Sequence, residues 1–397
     1  MTHLDTRWIA VVLAIASVAV LGAASEGAET DWEITLGGVH IERGYCAHEL
    51  VDGGYIVLGQ TLSKGAGDFD LWLLRLDHEG RAPWERTFGG PRDDWAVQIR
   101  ETADGGFILL GSTFSTGAGL SDLWLIKADS QGRPLWERVF GGQGMDLGCG
   151  IQQSADGGYV LVGYTESKGS GGGDAWVIKT DPSGRQEWEW TYGGSKSDIA
   201  HAVLEDRGGG FVFVGSTKSN RGGQANAWLV RLDKGGRQLW EKTYGGTEDD
   251  GAYSLQQTED GGFVFLGYTK SKGAGGADVW LVRVGPAGGV RWEKTFGGAK
   301  DDWGRCLQID PDGGYVLFGS TASTGTTGFY DLWLSKTDSS GERQWERTYG
   351  ERYWDRGRWV EATRDGGYLL VGFKFVADGP GNYDLWLIKT GQIRGAR

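Results

Sequence analysis

Arginine and aromatic side chains recur in this sequence at positions whose counterparts elsewhere in the chain are small or aliphatic. A guanidinium group binds a carboxylate through two parallel hydrogen bonds, and aromatic faces stack on sugars or on cations. These residue types predict a binding site for a small anionic ligand or a glycan. The candidate residues are Arg43, Tyr45, Trp303, Arg305, Arg356 and Arg358. Two alternatives stay open, namely packing of arginine on tryptophan and pairing of arginine with neighbouring acidic residues.

Acidic residues form two series at equally regular positions. The first series comprises Glu42, Asp94, Asp146, Asp198, Asp250, Asp302 and Asp355. The second comprises Asp70, Asp122, Asp174, Asn226, Asp278, Asp331 and Asp384. Clustered carboxylates can bind Ca²⁺, which takes about six to eight oxygen ligands. The recurrence favours a structural role, in which each aspartate accepts a hydrogen bond from a backbone N–H two residues further on. We therefore predict no cofactor, with calcium as the alternative.

Sequence signatures of catalysis are absent. The chain contains no H-E-x-x-H, no G-x-S-x-G and no Walker-type G-K-S/T, which are signatures of zinc, nucleophile and phosphate chemistry. Carboxylates are abundant, but a repeated series gives no reason to choose two of them as acid and base. We predict no catalytic residue and no bound metal.

All these positions belong to an internal repeat. Tryptophan opens a segment of the form W-E-x-T-aromatic-G-G seven times, four times in full and three times with one departure. The spacings are 52 residues five times and then 53, and the tryptophans are Trp32, Trp84, Trp136, Trp188, Trp240, Trp292 and Trp345. Each copy contains four short apolar runs separated by turn residues, which is typical of a four-stranded antiparallel sheet. In the second copy the predicted strands a to d are 95–102, 107–113, 123–128 and 135–140. Seven such units predict an all-β fold, a seven-bladed β-propeller.

The phase of the repeat predicts how the ring closes. The repeats begin with a lone strand d, Trp32–Leu36, and end with a lone strand c, Leu385–Lys389. The two ends of the chain therefore share the last blade. Small residues in strand a indicate that this strand lines the central channel. Counting back from the c–d turn places Arg75 opposite Glu85, and we expect such cross-strand ion pairs in all copies.

The D-x-x-G-x-x-x-W motif, as in Asp181–Trp188, resembles that of the tryptophan-docked propellers, whose enzyme branch is the quinoprotein dehydrogenases. The full pattern of W-E-R-T-[YF]-G-G, D-G-G-Y and D-x-W-L resembles secreted seven-bladed propeller repeat proteins of bacteria and archaea. The resemblance implies the architecture, but most of these proteins have no assigned activity. The polar and metal ligands that a quinone cofactor needs are not recognisable in the sequence.

The N-terminus predicts export. A 17-residue apolar run, Trp8–Ala24, follows Arg7 and ends in small residues, so we interpret residues 1–25 as a signal peptide and 26–397 as the propeller. An uncleaved membrane anchor is the alternative. Only three cysteines are present, and Cys46 and Cys306 occupy equivalent positions two blades apart. We therefore predict three free thiols, because a disulfide requires Cα atoms within about 7 Å.

Composition limits the range of partners. The formal charge of −13 disfavours nucleic acid and anionic membranes, which would repel the protein at long range. We predict a tryptophan-rich, monomeric binding or scaffold protein that is secreted, periplasmic or at the cell surface. Its ligand lies on the face of the d–a and b–c loops and is a glycan, a small anion or another surface protein. The alternatives are an extracellular glycan-active hydrolase or lyase that uses carboxylates at the channel mouth, and a structural cell-envelope component.

Overall fold

The structure, a computed structural model, describes residues 30–220, 223–325, 329–351, 353–376 and 383–393. The predicted signal peptide, residues 1–25, lies outside these ranges. The described residues form 28 β-strands and no α-helix. None of their elements is a helix long and apolar enough to cross a membrane.

The strands follow one another in groups of four after a single first strand, β1 (Thr30–Leu36). Blade 1 contains β2 (Glu42–Glu49), β3 (Tyr55–Thr61), β4 (Asp70–Leu76) and β5 (Trp84–Phe88). Blade 2 contains β6 (Asp94–Glu101), β7 (Phe107–Thr113), β8 (Asp122–Ala128) and β9 (Pro134–Phe140). Blade 3 contains β10 (Asp146–Gln153), β11 (Tyr159–Thr165), β12 (Asp174–Thr180) and β13 (Gln186–Tyr192).

The remaining blades repeat the arrangement. Blade 4 contains β14 (Asp198–Glu205), β15 (Phe211–Thr217), β16 (Asn226–Leu232) and β17 (Gln238–Tyr244). Blade 5 contains β18 (Asp250–Gln257), β19 (Phe263–Thr269), β20 (Asp278–Val284) and β21 (Val290–Phe296). Blade 6 contains β22 (Asp302–Ile309), β23 (Tyr315–Thr321), β24 (Asp331–Thr337) and β25 (Arg343–Tyr349). Blade 7 contains β26 (Arg356–Ala362), β27 (Tyr368–Phe375) and β28 (Tyr383–Thr390), together with β1.

These seven antiparallel sheets form the predicted β-propeller. In every blade the hydrogen-bonded order is a, b, c, d, and the a strands of neighbouring blades contact one another around the ring. Strand a is therefore innermost, as predicted. The small residues of strand a allow close approach of the next sheet, since a Cβ added at Gly44 would lie 2.7 Å from the backbone oxygen of Gly372.

The two ends of the described chain close the ring. Strand β1 pairs antiparallel with β28, with Trp32 opposite Lys389 and Leu36 opposite Leu385, so β1 is the fourth strand of blade 7. The side chain of Glu33 accepts a hydrogen bond of 2.8 Å from the indole nitrogen of Trp386. The predicted closure is confirmed.

The strand-c tryptophans anchor the core. They are almost fully buried, and each indole N–H donates to the glutamate that follows the strand-d tryptophan, over 2.8–3.2 Å in the seven blades. These glutamates thus satisfy buried donors, whose loss would leave an unpaired polar group in the core.

The predicted pairing of Arg75 with Glu85 is wrong. Arg75 lies opposite Trp84, and Glu85 lies opposite Leu74. The count from the turn was one residue too long: the N–H of Asp77 donates to the backbone oxygen of Arg81, and the ladder beyond it places Trp84, the residue before Glu85, opposite Arg75. Because neighbouring residues of a strand point to opposite faces of the sheet, Glu85 lies on the other face from Arg75.

The strand-c cations pair instead with the aspartates of the D-G-G turns. The pairs are Arg75–Asp52, Lys127–Asp104, Lys179–Asp156, Arg283–Asp260, Lys336–Asp312 and Lys389–Asp365. Blade 4 has Gly208 at the turn position, and its Arg231 bonds to Asp206. Six blades therefore share one ion pair between strand c and the a–b turn, and blade 4 departs from it.

All three cysteines are free, as predicted. Cys46 and Cys306 are buried, and Cys149 is half-buried. Burial raises the pKa of the Cys149 and Cys306 thiols to about 12, so both remain neutral at pH 7. Because the thiolate is the reactive form, these two thiols are weak nucleophiles at pH 7.

His48 links three blades next to the closure. Its Nδ1 lies 3.2 Å from a carboxylate oxygen of Glu361 in blade 7, and its Nε2 lies 2.9 Å from the backbone oxygen of Ile99 in blade 2. Both contacts require an N–H, so they favour the doubly protonated ring. Burial lowers the pKa of His48, but the neighbouring Cys46 and Glu361 raise it overall to about 9. The remaining charged neighbour is Arg100, 3.3 Å from Nε2.

We expect this ion pair to make stability fall at alkaline pH. Since the folded pKa of about 9 exceeds the unfolded 6.5, the contribution is complete below about pH 6.5 and is lost as pH rises through about 9. The free energy of unfolding should fall by up to roughly 3 kcal/mol over this window. His48→Gln should abolish that loss, because Gln256 and Gln308 make the same inter-blade bond to a backbone oxygen. Urea denaturation at several pH values tests this, and an unchanged profile in the variant would contradict it.

Candidate functional site

The candidate residues lie on the inner strands of three consecutive blades. Trp303 and Arg305 are on β22, Arg356 and Arg358 on β26, and Arg43 and Tyr45 on β2. These strands are neighbours around the ring, and the residues stand near their first positions, at the end of the channel next to the d–a and b–c loops. We call this group the arginine site and this end of the channel the mouth.

Each arginine of the site lies over an aromatic ring. The Cζ atom of Arg305 is 4.1 Å from the ring centre of Tyr253, and that of Arg356 is 4.6 Å from Tyr330. Arg358 lies 5.5 Å from the ring of Tyr45. Cation–π contacts of this kind contribute about 0.5–1 kcal/mol each at exposed sites and more when water is excluded. The stacking alternative is therefore realised, mostly on tyrosine.

Arg43 and Arg358 meet over a shared ring. Their Cζ atoms lie 5.7 and 5.8 Å from the ring centre of Phe373, which is buried. The Nε atoms of both arginines are buried and have no hydrogen-bond partner among the described residues. Two guanidinium groups, each with an Nε–H that has no partner among the described residues, therefore lie over one phenyl ring at the mouth.

No arginine of the site forms an ion pair within the described part of the chain. The adjacent acidic residues are already bonded to the backbone and to hydroxyl groups. Asp302 accepts from the N–H of Gly298 at 2.9 Å, Asp355 from the N–H of Phe375 at 3.0 Å, and Glu42 from the hydroxyl of Thr61 at 3.0 Å. The alternative in which the arginines pair with this series is wrong, because its carboxylates hold the loops together.

The arginines also disfavour one another electrostatically. Burial, and then the charges of Arg305, Arg356 and Arg43, lower the pKa of Arg358 to about 10, although Tyr45 opposes this. Burial also lowers the pKa of His201 to about 3, with a smaller effect of Arg305, so His201 is neutral at pH 7. The arginine site is consequently a cluster of like positive charges in an acidic protein.

A run of partly exposed aromatic rings extends from the site across blades 5 to 7. Ring centres are 5.8 Å apart for Tyr253 and Tyr268, 4.6 Å for Tyr268 and Trp303, and 5.5 Å for Tyr330 and Trp354. The indole N–H of Trp303 lies 3.4 Å from the Tyr330 hydroxyl and links the two halves. Tyr268, Tyr330 and Trp354 are not among the site residues predicted from the sequence. Comparison of the copies just before each acidic position would have found the last two.

The acidic series hold the mouth loops together. In blade 3, Asp146 accepts from the N–H of Gly142, four residues earlier, at 2.8 Å and from the hydroxyl of Ser167 at 2.6 Å. Asp122 accepts similarly from the N–H of Ala118 at 2.8 Å. The predicted bond to an N–H two residues further on is wrong, but the structural role is present. Groups of three potential metal ligands do not occur among the described residues, and calcium binding stays a prediction.

The two series meet pairwise around the first glycine of each aromatic-Gly-Gly segment. An added Cβ at Gly350 would lie within 3 Å of carboxylate oxygens of both Asp331 and Asp355. The seven pairs are Asp70–Asp94, Asp122–Asp146, Asp174–Asp198, Asn226–Asp250, Asp278–Asp302, Asp331–Asp355 and Asp384–Glu42. Burial, and then the charge of Asp355, raise the pKa of Asp331 to about 7.

Comparison with known proteins supports the architecture. No family model matches the chain, and no curated protein matches it. Among solved structures, Sqt1 from Chaetomium thermophilum aligns with a TM-score of 0.51 at 13% identity, over 89% of this chain and 87% of that chain. The Pan2 WD40 domain of Neurospora crassa aligns with a TM-score of 0.51 at 10% identity, over 89% and 91%. The polysaccharide lyase Uly1 aligns with a TM-score of 0.50 at 10% identity, over 96% of each chain. At such low identity these similarities concern the propeller fold alone.

Proposed function

We propose that this protein is an exported binding module that holds a small anionic ligand at the channel mouth. The observation that carries the proposal is the group of four neighbouring arginines without a carboxylate partner among the described residues. Concentrating like charges costs free energy unless counter-charge is supplied, and a bound anion supplies it. Export rests on the apolar segment Trp8–Ala24.

The arrangement favours a compact ligand that bears at least two negative groups. One carboxylate or phosphate group can engage one or two guanidinium forks, so four arginines exceed what a single group can bridge. The formal charge of −13 repels long polyanions at a distance, whereas a small anion is attracted once it is near the mouth. The neighbouring aromatic rings can stack on the carbon skeleton of such a ligand, including a sugar acid.

The structure gives no reason to select catalytic residues. The raised pKa of Asp331 is the property expected of an acid catalyst. The equivalent carboxyl groups of other blades share this property: burial also raises the pKa of Asp70 and of Asp384 to about 6. A property that recurs around the ring belongs to the scaffold, so binding is the better-supported function.

Replacing Arg305 and Arg358 with alanine tests the site. We expect the double variant to lose at least tenfold in affinity for citrate, phosphate or glucuronate, whichever binds the unmodified protein, since each lost charge-assisted bond contributes about 1.5–3 kcal/mol. Its melting temperature should change little, because the loss of cation–π contacts and the relief of charge repulsion oppose each other. Isothermal titration calorimetry and thermal unfolding measure the two effects on one preparation.

The control is Arg133→Ala, which removes an exposed arginine paired with Asp129 in a c–d turn on the opposite face. This variant should bind anions like the unmodified protein. If the double variant unfolds at a lower temperature and still binds with unaltered affinity, the arginines serve packing and the proposal fails.

A further inference from the structure

Blade 4 lacks one half of an ion pair that the other six blades share. In those blades the strand-c cation meets the aspartate of the D-G-G turn, as Lys127 meets Asp104 at 3.0 Å and Lys389 meets Asp365 at 2.6 Å. Blade 4 keeps the cation, Arg231, but the turn position is Gly208. The carboxylate at this turn position is therefore absent, and Arg231 pairs only with Asp206, two residues earlier.

A cavity of about 230 Å³ lies at this place. Its lining includes Gly208, Gly210, Arg231, Lys234 and the exposed side chain of Leu239. It opens on the face of the a–b and c–d turns, which is the opposite face from the channel mouth. Its volume is far larger than a single water molecule needs and accommodates a small organic acid.

Arg231 has free hydrogen-bonding capacity in this cavity. Its Nε donates to Asp206 at 2.7 Å, but no hydrogen bond of its two Nη nitrogens to the described residues is present. Lys234 forms no ion pair within the described ranges. Asp233 also lines the cavity, but its Oδ1 is engaged by the N–H groups of Gly235 and Arg237 at 2.8 and 2.9 Å.

Blade 6 shows that one such cation can accommodate two carboxylates. Lys336 pairs both with Asp310, which is the equivalent of Asp206, and with Asp312, which is the equivalent of Gly208. Arginine presents five N–H donors in a planar fork that matches carboxylate geometry. Arg231 therefore has more capacity than Lys336 and one carboxylate fewer.

We propose that the blade 4 cavity is a second binding site, which accepts the carboxylate group of a small ligand in place of the missing aspartate. The ligand carboxylate receives hydrogen bonds from the Nη nitrogens of Arg231, and the ligand body lies against Leu239. A free organic acid and the C-terminal carboxylate of a peptide share this chemistry. The site is independent of the arginine site at the mouth.

Titration with three probes tests the proposal and separates the two ligand sources. The probes are acetate, succinate and an N-acetylated dipeptide with a free C-terminus, each compared with chloride at equal ionic strength. We expect chemical-shift changes at the backbone amides of Gly208, Gly210 and Lys234 with the carboxylates and none with chloride. The probe that binds most tightly identifies the source.

Three variants decide the outcome. Gly208→Asp restores the shared ion pair and should abolish probe binding, while raising the melting temperature in the absence of probe. Gly208→Ala adds only a methyl group and should retain binding, which controls for altered turn flexibility. Arg231→Gln should weaken binding at least tenfold, and circular dichroism shows whether the variant is folded. Equal binding by the unmodified protein and the folded Gly208→Asp variant would overturn the proposal, as would shifts confined to other blades.

Discussion

Deletion of residues 31–38 is expected to lower the free energy of unfolding of the whole ring by several kcal/mol. The deletion removes the outer strand of blade 7, in which Trp32 and Leu36 pack on the buried core between blades 7 and 1. It also leaves the indole N–H of Trp386 without the carboxylate of Glu33. Truncation of one large core aromatic costs about 3–5 kcal/mol, and an unpaired buried donor adds about 1–3 kcal/mol.

Denaturant unfolding measures this loss. The control deletes residues 26–29, which precede β1 in sequence, and should change the midpoint little. A synthetic peptide of residues 30–38 added to the truncated protein should restore much of the loss, because it can pair with β28. An unchanged melting temperature after deletion of residues 31–38 would contradict the shared blade.

Acidification from pH 8 to about pH 4.5 is expected to stabilise the protein. Burial raises the pKa of Asp331 to about 7 and of Asp70, Asp355 and Asp384 to about 6, mostly with a further effect of the paired carboxylate. The folded state thus binds protons more tightly than the unfolded chain. The contribution of these carboxyl groups to the free energy of unfolding is complete at pH values below about 4 and is lost as pH rises through about 6 to 7.

Asp331→Asn isolates one of these sites. Blade 4 already carries the amide at this position, as Asn226 beside Asp250. A shift from 3.8 to about 7 sets an upper limit of roughly 4 kcal/mol on the cost of ionising Asp331 in the folded state, so the variant should be more stable than the unmodified protein at pH 8. At pH 4, where Asp331 is protonated, the gain should nearly vanish.

A variant of the opposite kind is the matched control for Asp331→Asn. The hydroxyl of Thr102 and the ammonium of Lys127 lower the pKa of Asp104 to about 2 despite some burial. Asp104→Asn should therefore destabilise the protein at pH 8. Chemical denaturation of both variants between pH 4 and pH 8 measures the two changes in the free energy of unfolding. If Asp331→Asn is less stable than the unmodified protein at pH 8, the raised pKa of Asp331 is refuted.

The architecture could be predicted from the sequence because the seven copies of the repeat can be aligned with one another. The predicted range 107–113 coincides with β7 (Phe107–Thr113), and the predicted closing strand 385–389 lies within β28 (Tyr383–Thr390). Seven copies of one turn pattern identify strands that a single copy would leave ambiguous. The ring closure followed from the phase of the repeat alone.

The missed details depend on geometry that the repeat does not encode. The count from the c–d turn was wrong by one residue, so Glu85 bonds to the indole of Trp72 and not to Arg75. The aromatic rings of Tyr330 and Trp354 come from loops of different blades and meet only after the ring has closed. The candidate residues of the arginine site follow from divergence between copies, but only the structure shows that these arginines form no ion pair within the described residues.

The offset between repeat and blade has a consequence for how such a chain can change in length. Each sequence unit begins with the outer strand of one blade and continues through the three inner strands of the next, as Trp32–Leu36 precedes β2–β4. Every unit therefore contributes strands to two neighbouring blades and connects them covalently. Unequal recombination that inserts or removes one whole unit would change the number of blades. The first and last strands could still pair with each other and close the ring in the same way.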